Sequence, residues 1–86
     1  MMEIAPLGIE GAWIAHSNVF NDIRGSFREW FKYDQIKEST GIDFLVKQSN
    51  VATSARGTIR GVHYSLSKFG QSKWVTCISG HVIDLV

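Results

Sequence analysis

Between Gly57 and Gly80 the chain reads GTIRGVHYSLSKFGQSKWVTCISG. One histidine, His63, stands there with Arg60 shortly before it and Lys73 shortly after. An imidazole with an ordinary pKa of about 6.5 can act as a base at neutral pH. Two fixed cations within reach of it can hold a developing negative charge. Together these residues are the inventory needed to remove a proton next to a carbonyl and to stabilise the oxyanion that results.

The same stretch has metal-site spacing without the metal ligands. Gly57-x5-His63 opens like the first cupin motif, G-x5-H-x-H-x(3,4)-E-x6-G. The second histidine position is Ser65, and the glutamate position, counted back from Gly80, is Lys73. One histidine and no carboxylate cannot hold a transition metal. On such a scaffold Lys73 stands where the metal-ligating carboxylate would be, and a cation there can take over the electrophilic task.

Two strands, Gly57 to Ser65 and Ser72 to Ser79, must carry these residues, joined by the glycine-containing loop between them. Lys73 alternates with Val75 and Cys77, which predicts that it faces the interior near an open end, either snorkelling out or working. Arg60 and His63 have opposite parity in a regular strand, so lining one pocket requires an irregularity, for which Gly61 is the natural place. Taken alone, Arg60 reads as a solvated surface residue.

The rest of the chain reads as short strands around one helix. Ala12 to His16 is an apolar run, and NDIRG, Asn21 to Gly25, is a turn signal. Ser26 to Phe31 alternates, with Phe27, Glu29 and Phe31 on one face and Arg28 and Trp30 on the other. Asp34 to Thr40 is the one helix, ending at Gly41. Phe44 to Thr53 is a strand with Phe44, Val46, Gln48 and Asn50 on one face. Ser79-Gly80 turns into a last strand, His81 to Val86. The pattern predicts an all-β sandwich or barrel, without βαβ units.

Four more side chains are candidates for binding. Gln48 and Asn50 are amides on an otherwise apolar face. If buried they need partners, which a polyhydroxylated ligand would supply; at an open barrel end water would do. Glu29 is in the same position between Phe27 and Phe31. Arg24, in the NDIRG turn, can meet a phosphate, as can many turn arginines. His16 and His81 have no comparable neighbours.

Eighty-six residues with 44% hydrophobic content, three Trp and five Phe make one domain at most, rich in apolar groups for its size. That predicts an oligomer or a piece of a larger fold. HVIDLV reads as a strand in progress, so the fold is expected to continue past Val86. A net charge of +1 without a basic stripe gives no nucleic-acid footprint. The single Cys77 permits no intrachain disulfide and reads as a buried structural thiol. The N-terminus lacks the pattern of a signal peptide, and no run approaches the roughly 20 apolar residues of a membrane span, so a cytoplasmic protein is expected.

Over nearly its whole length the sequence resembles dTDP-4-dehydrorhamnose 3,5-epimerase and relatives acting on dTDP-4-keto-6-deoxy sugars. The resemblance is carried by GAW, VFNDIRGSFREWF, YDQIKESTG, FLVKQSNVATSARGTIRGVHYSLS and GQSKWVTCISGHVIDLV. It implies a metal-free cupin jelly roll, of which residues 1–86 are the N-terminal part, a homodimer and no cofactor. It implies that His63 takes the proton beside the C4 ketone and that Lys73 stabilises the enolate. Arg24, Glu29, Gln48, Asn50 and Arg60 match nucleotide-sugar binding positions, and the arm around Arg24 to Glu29 reaches towards the neighbouring subunit's site. The family's general-acid tyrosine has no counterpart before Val86, so the 86 residues alone are expected to be inactive.

HYSLSKFG departs from the more usual HFQ-type loop and is closer to relatives that make unusual deoxysugars. The product, and whether C3, C5 or both invert, are therefore open. The alternative to an enzyme is a non-catalytic cupin module that binds nucleotide sugar or only associates with partners. A 3,4-ketoisomerase on the same scaffold fits the GxHY and EWF segments less well.

Overall fold

The structure is a computed structural model that describes residues 2–86. It begins with a hairpin. β1, Met2–Pro6, pairs antiparallel with β2, Trp13–Ser17, in the register Met2↔Ser17, Ile4↔Ala15 and Pro6↔Trp13. These cross-strand partners share one face, and Met2, Ile4, Trp13, Ala15 and Ser17 are all wholly or partly covered on it. Pro6, which has no N–H to give, sits at the strand's end. The loop back is tied by Leu7 N–H to the Ala12 carbonyl and by Ala12 N–H to the Ile9 carbonyl, both at 3.0 Å. β2 is the expected Ala12–His16 run displaced by one residue, whereas β1 lies outside every expected strand.

A second, smaller hairpin follows. β3, Phe20–Asp22, pairs with β4, Gly25–Phe27, with Asp22 opposite Gly25 across the turn signalled by NDIRG. The expected strand to Phe31 is paired only as far as Phe27; Arg28 to Lys32 leaves the ladder.

The helix α1 spans Tyr33–Thr40, one residue earlier than Asp34. Lys32 is extended at its start (φ −146°, ψ 111°) and makes no side-chain cap. Its end is well built. Gly41 takes the left-handed conformation at φ 76° and gives its N–H to the Lys37 carbonyl at 2.8 Å, as a helix C-terminus favours. Thr40 Oγ1 donates to the Ile36 carbonyl (2.7 Å) and accepts from Ile42 N–H (3.1 Å). α1 packs on β1, and Gln35 Nε2 donates to the Met2 carbonyl. The core of the described residues is correspondingly small: Met2 (3% exposed) and Ile36 (2%) are its buried hydrophobic members.

From Phe44 onward the backbone turns where expected but enters no ladder. Turns fall at Arg56-Gly57 and Lys68-Phe69, and a bend at Ile78–Gly80. The segments Phe44 to Thr53, Gly57 to Ser65, Ser72 to Ser79 and His81 to Val86, read as strands, carry no paired neighbour among the described residues. Alternating side chains favour extended backbone, but a strand also needs a second backbone to receive its N–H and C=O groups. The surface is accordingly large, 8289 Å² against about 5,100 Å² for a compact monomer of this mass. The radius of gyration is 14.7 Å, against about 12 Å for a compact domain of this length. The regular structure is thus strands in two antiparallel sheets with one short helix, in keeping with the all-β expectation. Among the described residues no helix is long and apolar enough to cross a membrane.

Candidate functional site

Among the described residues, the irregular half of the chain is anchored to the regular half around Trp74. Trp74 Nε1–H donates to the Trp30 carbonyl, and an Nη2–H of Arg28 donates to the Cys77 carbonyl at 3.3 Å. The two bonds run in opposite senses along the chain, so residues 28–31 and 74–77 lie antiparallel, joined by side chains instead of a ladder. Phe31 closes the contact, edge-on to both Trp74 (6.4 Å between centroids) and Phe44 (5.7 Å). T-shaped pairs of this kind are the favoured arrangement for aromatic rings. This clamp decides which face of the Ser72–Ser79 segment packs. Trp74 and Thr76 are half-buried, while Val75 is 68% exposed and Lys73 is exposed. The expected inward face of Lys73, Val75 and Cys77 is therefore not the packed one. Trp74 takes that role because its ring and its N–H both find partners. Cys77 is half-buried, not buried.

A cleft of about 180 Å³ lies beside the clamp, between β2 and the antiparallel pair. Its walls include Trp13, Trp30 and Trp74, and its polar groups include Arg28, Glu29 and Thr76. Glu29 is half-buried there. None of these indoles stood out from sequence. The only available signal was that Arg28 and Trp30 share a face.

The remaining candidates lie on the exposed half. Gln48 Nε2 reaches Asn50 Oδ1 at 3.4 Å, so the two amides do share a face, as alternation required. Both are exposed, which corresponds to the water-facing alternative. Arg60 folds back across the Ala55–Thr58 turn: Nε donates to Ser54 Oγ at 2.8 Å and Nη2 to the Thr53 carbonyl at 3.5 Å. That brings Arg60 back towards the end of the segment bearing Gln48 and Asn50. Gly61 has φ +121°, a conformation open to glycine, so the backbone between Arg60 and His63 departs from a regular strand. His63 is exposed, and no hydrogen bond or ion pair among the described residues joins it to Lys73, Gln48, Asn50 or Arg60. Arg24 is held at the tip of the β3–β4 hairpin by Asp22. That contact raises the Arg24 pKa and lowers that of Asp22, each through the side-chain hydrogen bond with the other. Among the described residues no group of three or more His, Cys, Asp or Glu gathers that could hold a metal ion.

A family model described as dTDP-4-dehydrorhamnose 3,5-epimerase matches residues 6–86, a span that includes every residue named above except those at the start of β1. The chain belongs to the dTDP-4-dehydrorhamnose 3,5-epimerase family. Curated members agree. The chain is 43% identical over 81 residues to dTDP-4-dehydro-6-deoxyglucose 3-epimerase of Streptomyces bikiniensis, covering 94% of the chain and 41% of that protein. It is 41% identical over 81 residues to dTDP-4-dehydrorhamnose 3,5-epimerase of Streptomyces griseus, covering 94% of the chain and 40% of the relative. It is also 41% identical over 85 residues to dTDP-4-dehydrorhamnose 3,5-epimerase of Mycolicibacterium smegmatis, covering 99% and 42%. The chain thus spans about two-fifths of the length of these relatives, 40–42%. No solved structure matches it.

Proposed function

We propose that the protein takes part in epimerising a dTDP-4-keto-6-deoxyhexose at C3, C5 or both. His63 is the base that removes the proton beside the C4 ketone. Lys73 stabilises the enolate oxygen, and reprotonation on the opposite face inverts the carbon. Arg24, Glu29, Gln48, Asn50 and Arg60 bind the nucleotide sugar. No metal or cofactor enters. The scaffold is a cupin jelly roll working as a cytoplasmic homodimer, with residues 1–86 forming a single portion of it and no internal boundary.

The observation that carries this reading is the family match over residues 6–86, a span that contains both proposed catalytic residues and all the proposed binding residues. Three features favour the detail. Gln48 and Asn50 present their amides side by side. Arg60 is folded towards their segment. The metal-motif positions hold Ser65 and Lys73, which replaces a ligand carboxylate by a fixed cation suited to an oxyanion.

The test supplies dTDP-4-dehydro-6-deoxyglucose, in deuterated water, to the full-length protein, since residues 1–86 alone are expected to be inactive. Solvent deuterium should enter the sugar ring without added metal or nicotinamide, and His63→Ala should abolish the exchange. Exchange that needs a metal, or that survives in His63→Ala, would overturn the mechanism.

A second reading is a binding module without catalysis. It is favoured by the large uncovered surface and by the exposure of both His63 and Lys73. It predicts affinity for thymidine diphosphate with no deuterium uptake.

A further inference from the structure

The tip of the β3–β4 hairpin is a closed circuit of two side chains. Asp22 Oδ1 accepts the main-chain N–H of Arg24 at 2.8 Å. Asp22 Oδ2 accepts from Arg24 Nε at 3.1 Å and from Nη2 at 2.5 Å. Both oxygens of the carboxylate thus serve Arg24. A guanidinium carries five N–H donors in a rigid planar fork. Asp22 engages Nε–H and one hydrogen of Nη2, which together form one edge. The hydrogens of Nη1 and the second one of Nη2 remain, on the other edge. The Arg24 side chain is 86% exposed and that of Asp22 is 48% exposed, so the unused edge looks into solvent. The backbone beneath is fixed as well, because Asp22 lies opposite Gly25 at the end of the ladder.

We infer that Asp22 is a positioning residue for Arg24: it grips one edge of the guanidinium so that the opposite edge is presented, already oriented, to a phosphate oxygen of the nucleotide. This rests on the reading of Arg24 as a nucleotide-binding residue. A free arginine on a hairpin tip must give up rotamer freedom when it takes hold of a ligand. An arginine already held loses less, which is the general advantage of preorganisation. A two-hydrogen contact with a phosphate also needs the plane of the fork to be set, not only its charge to be near.

Charge works in the other direction. Asp22 makes the pair neutral overall and places a carboxylate near an anionic ligand. That repulsion is weakened because the carboxylate lies on the far edge of the guanidinium and both side chains are in water, where charges are strongly screened. Orientation and charge predict opposite signs for the loss of the Asp22 charge, and the inference commits to orientation.

Asp22→Asn is the informative variant. Its amide oxygen can still accept the Arg24 main-chain N–H and keep the turn, while the charged grip on the guanidinium is lost. Thymidine diphosphate is titrated into the wild-type protein, Asp22→Asn, Arg24→Lys and the double variant. Asp22→Asn should raise the dissociation constant about two- to fivefold, the scale of one exposed ion pair. In the Arg24→Lys background it should change nothing, because a lysine has no fork to be oriented. Nitrogen-resolved NMR of the free protein gives an independent readout. The Arg24 Nε–H signal should exchange slowly with water in the wild type and rapidly in Asp22→Asn.

Unchanged or tighter binding by Asp22→Asn, an equal effect in the Arg24→Lys background, or a fast-exchanging Nε–H in the wild type would overturn the inference. If Arg24→Ala leaves nucleotide affinity unaltered, the nucleotide-binding reading of Arg24 fails. The NMR readout then still decides whether Asp22 holds the guanidinium.

Discussion

Removing the indole of Trp74 should release the Ser72–Ser79 segment, and with it Lys73, from the rest of the protein. The size of the effect follows from what Trp74 touches. Its N–H bond to the Trp30 carbonyl contributes about 1 kcal/mol, as a typical net hydrogen bond does. Its edge-on contact with Phe31 adds about 1 kcal/mol beyond simple burial. The Arg28 bond to the Cys77 carbonyl survives the substitution, at 3.3 Å and on an exposed surface. Trp74→Ala should thus cost the segment about 2 kcal/mol, and the population of its open form should rise about 30-fold. Alkylation of the half-buried Cys77 thiol is the assay, because Cys77 lies in the segment that the clamp holds. Its rate should rise in Trp74→Ala, while amide hydrogen exchange in the β1–β2 ladder, which makes none of these contacts, should stay unchanged. Trp74→Phe retains a ring to meet Phe31 and loses only the N–H, so the rate should rise about half as far on a logarithmic scale. An unchanged alkylation rate in Trp74→Ala would refute the clamp. Faster exchange in β1 and β2 to the same degree would show that the whole chain opens as one unit instead.

Ile36→Ala should cost about 2–4 kcal/mol and loosen α1 from β1, since Ile36 is 2% exposed and faces a core that it shares with Met2; loss of helical circular dichroism at a lower temperature would show it. Gly41→Ala should destabilise the helix end by about 1 kcal/mol, because φ 76° strains any residue with a Cβ while nothing lies within 4 Å to clash with it; a thermal melt measures this. Tyr33 should titrate above its ordinary value of 10.0, chiefly because its hydroxyl donates to Asp43. A raised folded-state value means that this contact stabilises the protein fully below the ordinary phenol pKa and is lost as pH rises through the folded one. Tyrosinate absorbance against pH should show the late titration, and Asp43→Asn should shift it down.

The parts legible in the sequence are those whose cause is local. Gly41 after a helical run marks a C-cap by its own backbone freedom, and NDIRG marks a turn by its residue types. Gln48 and Asn50 share a face because alternation alone puts them there. Gly61 does take a positive φ, but its segment is in no ladder, so the backbone there makes no bulge. β1 has little signal in the sequence because MEIAP is short, ends in proline and alternates through only Met2 and Ile4. Lys73 was expected to face inward because Val75 and Cys77 are apolar. That rule fails where a neighbouring tryptophan has a carbonyl and a ring waiting 44 residues earlier in the chain. Contacts across such distances have no signature in spacing. The Trp74–Trp30 clamp and the tryptophan-walled cleft could therefore be found only in three dimensions.

The first hairpin and α1 complete their own small core by Thr40, using contacts such as that of Gln35 with Met2, 33 positions apart against 44 and 49 for the two bonds of the clamp. A ribosome delivers this part first, and contacts of short sequence separation form fast. It can therefore be standing before residues 74–77 emerge to meet the arm at 28–31. The order of synthesis gives the later segment a finished surface to dock on. Those first forty residues serve as a scaffold in time as well as in space.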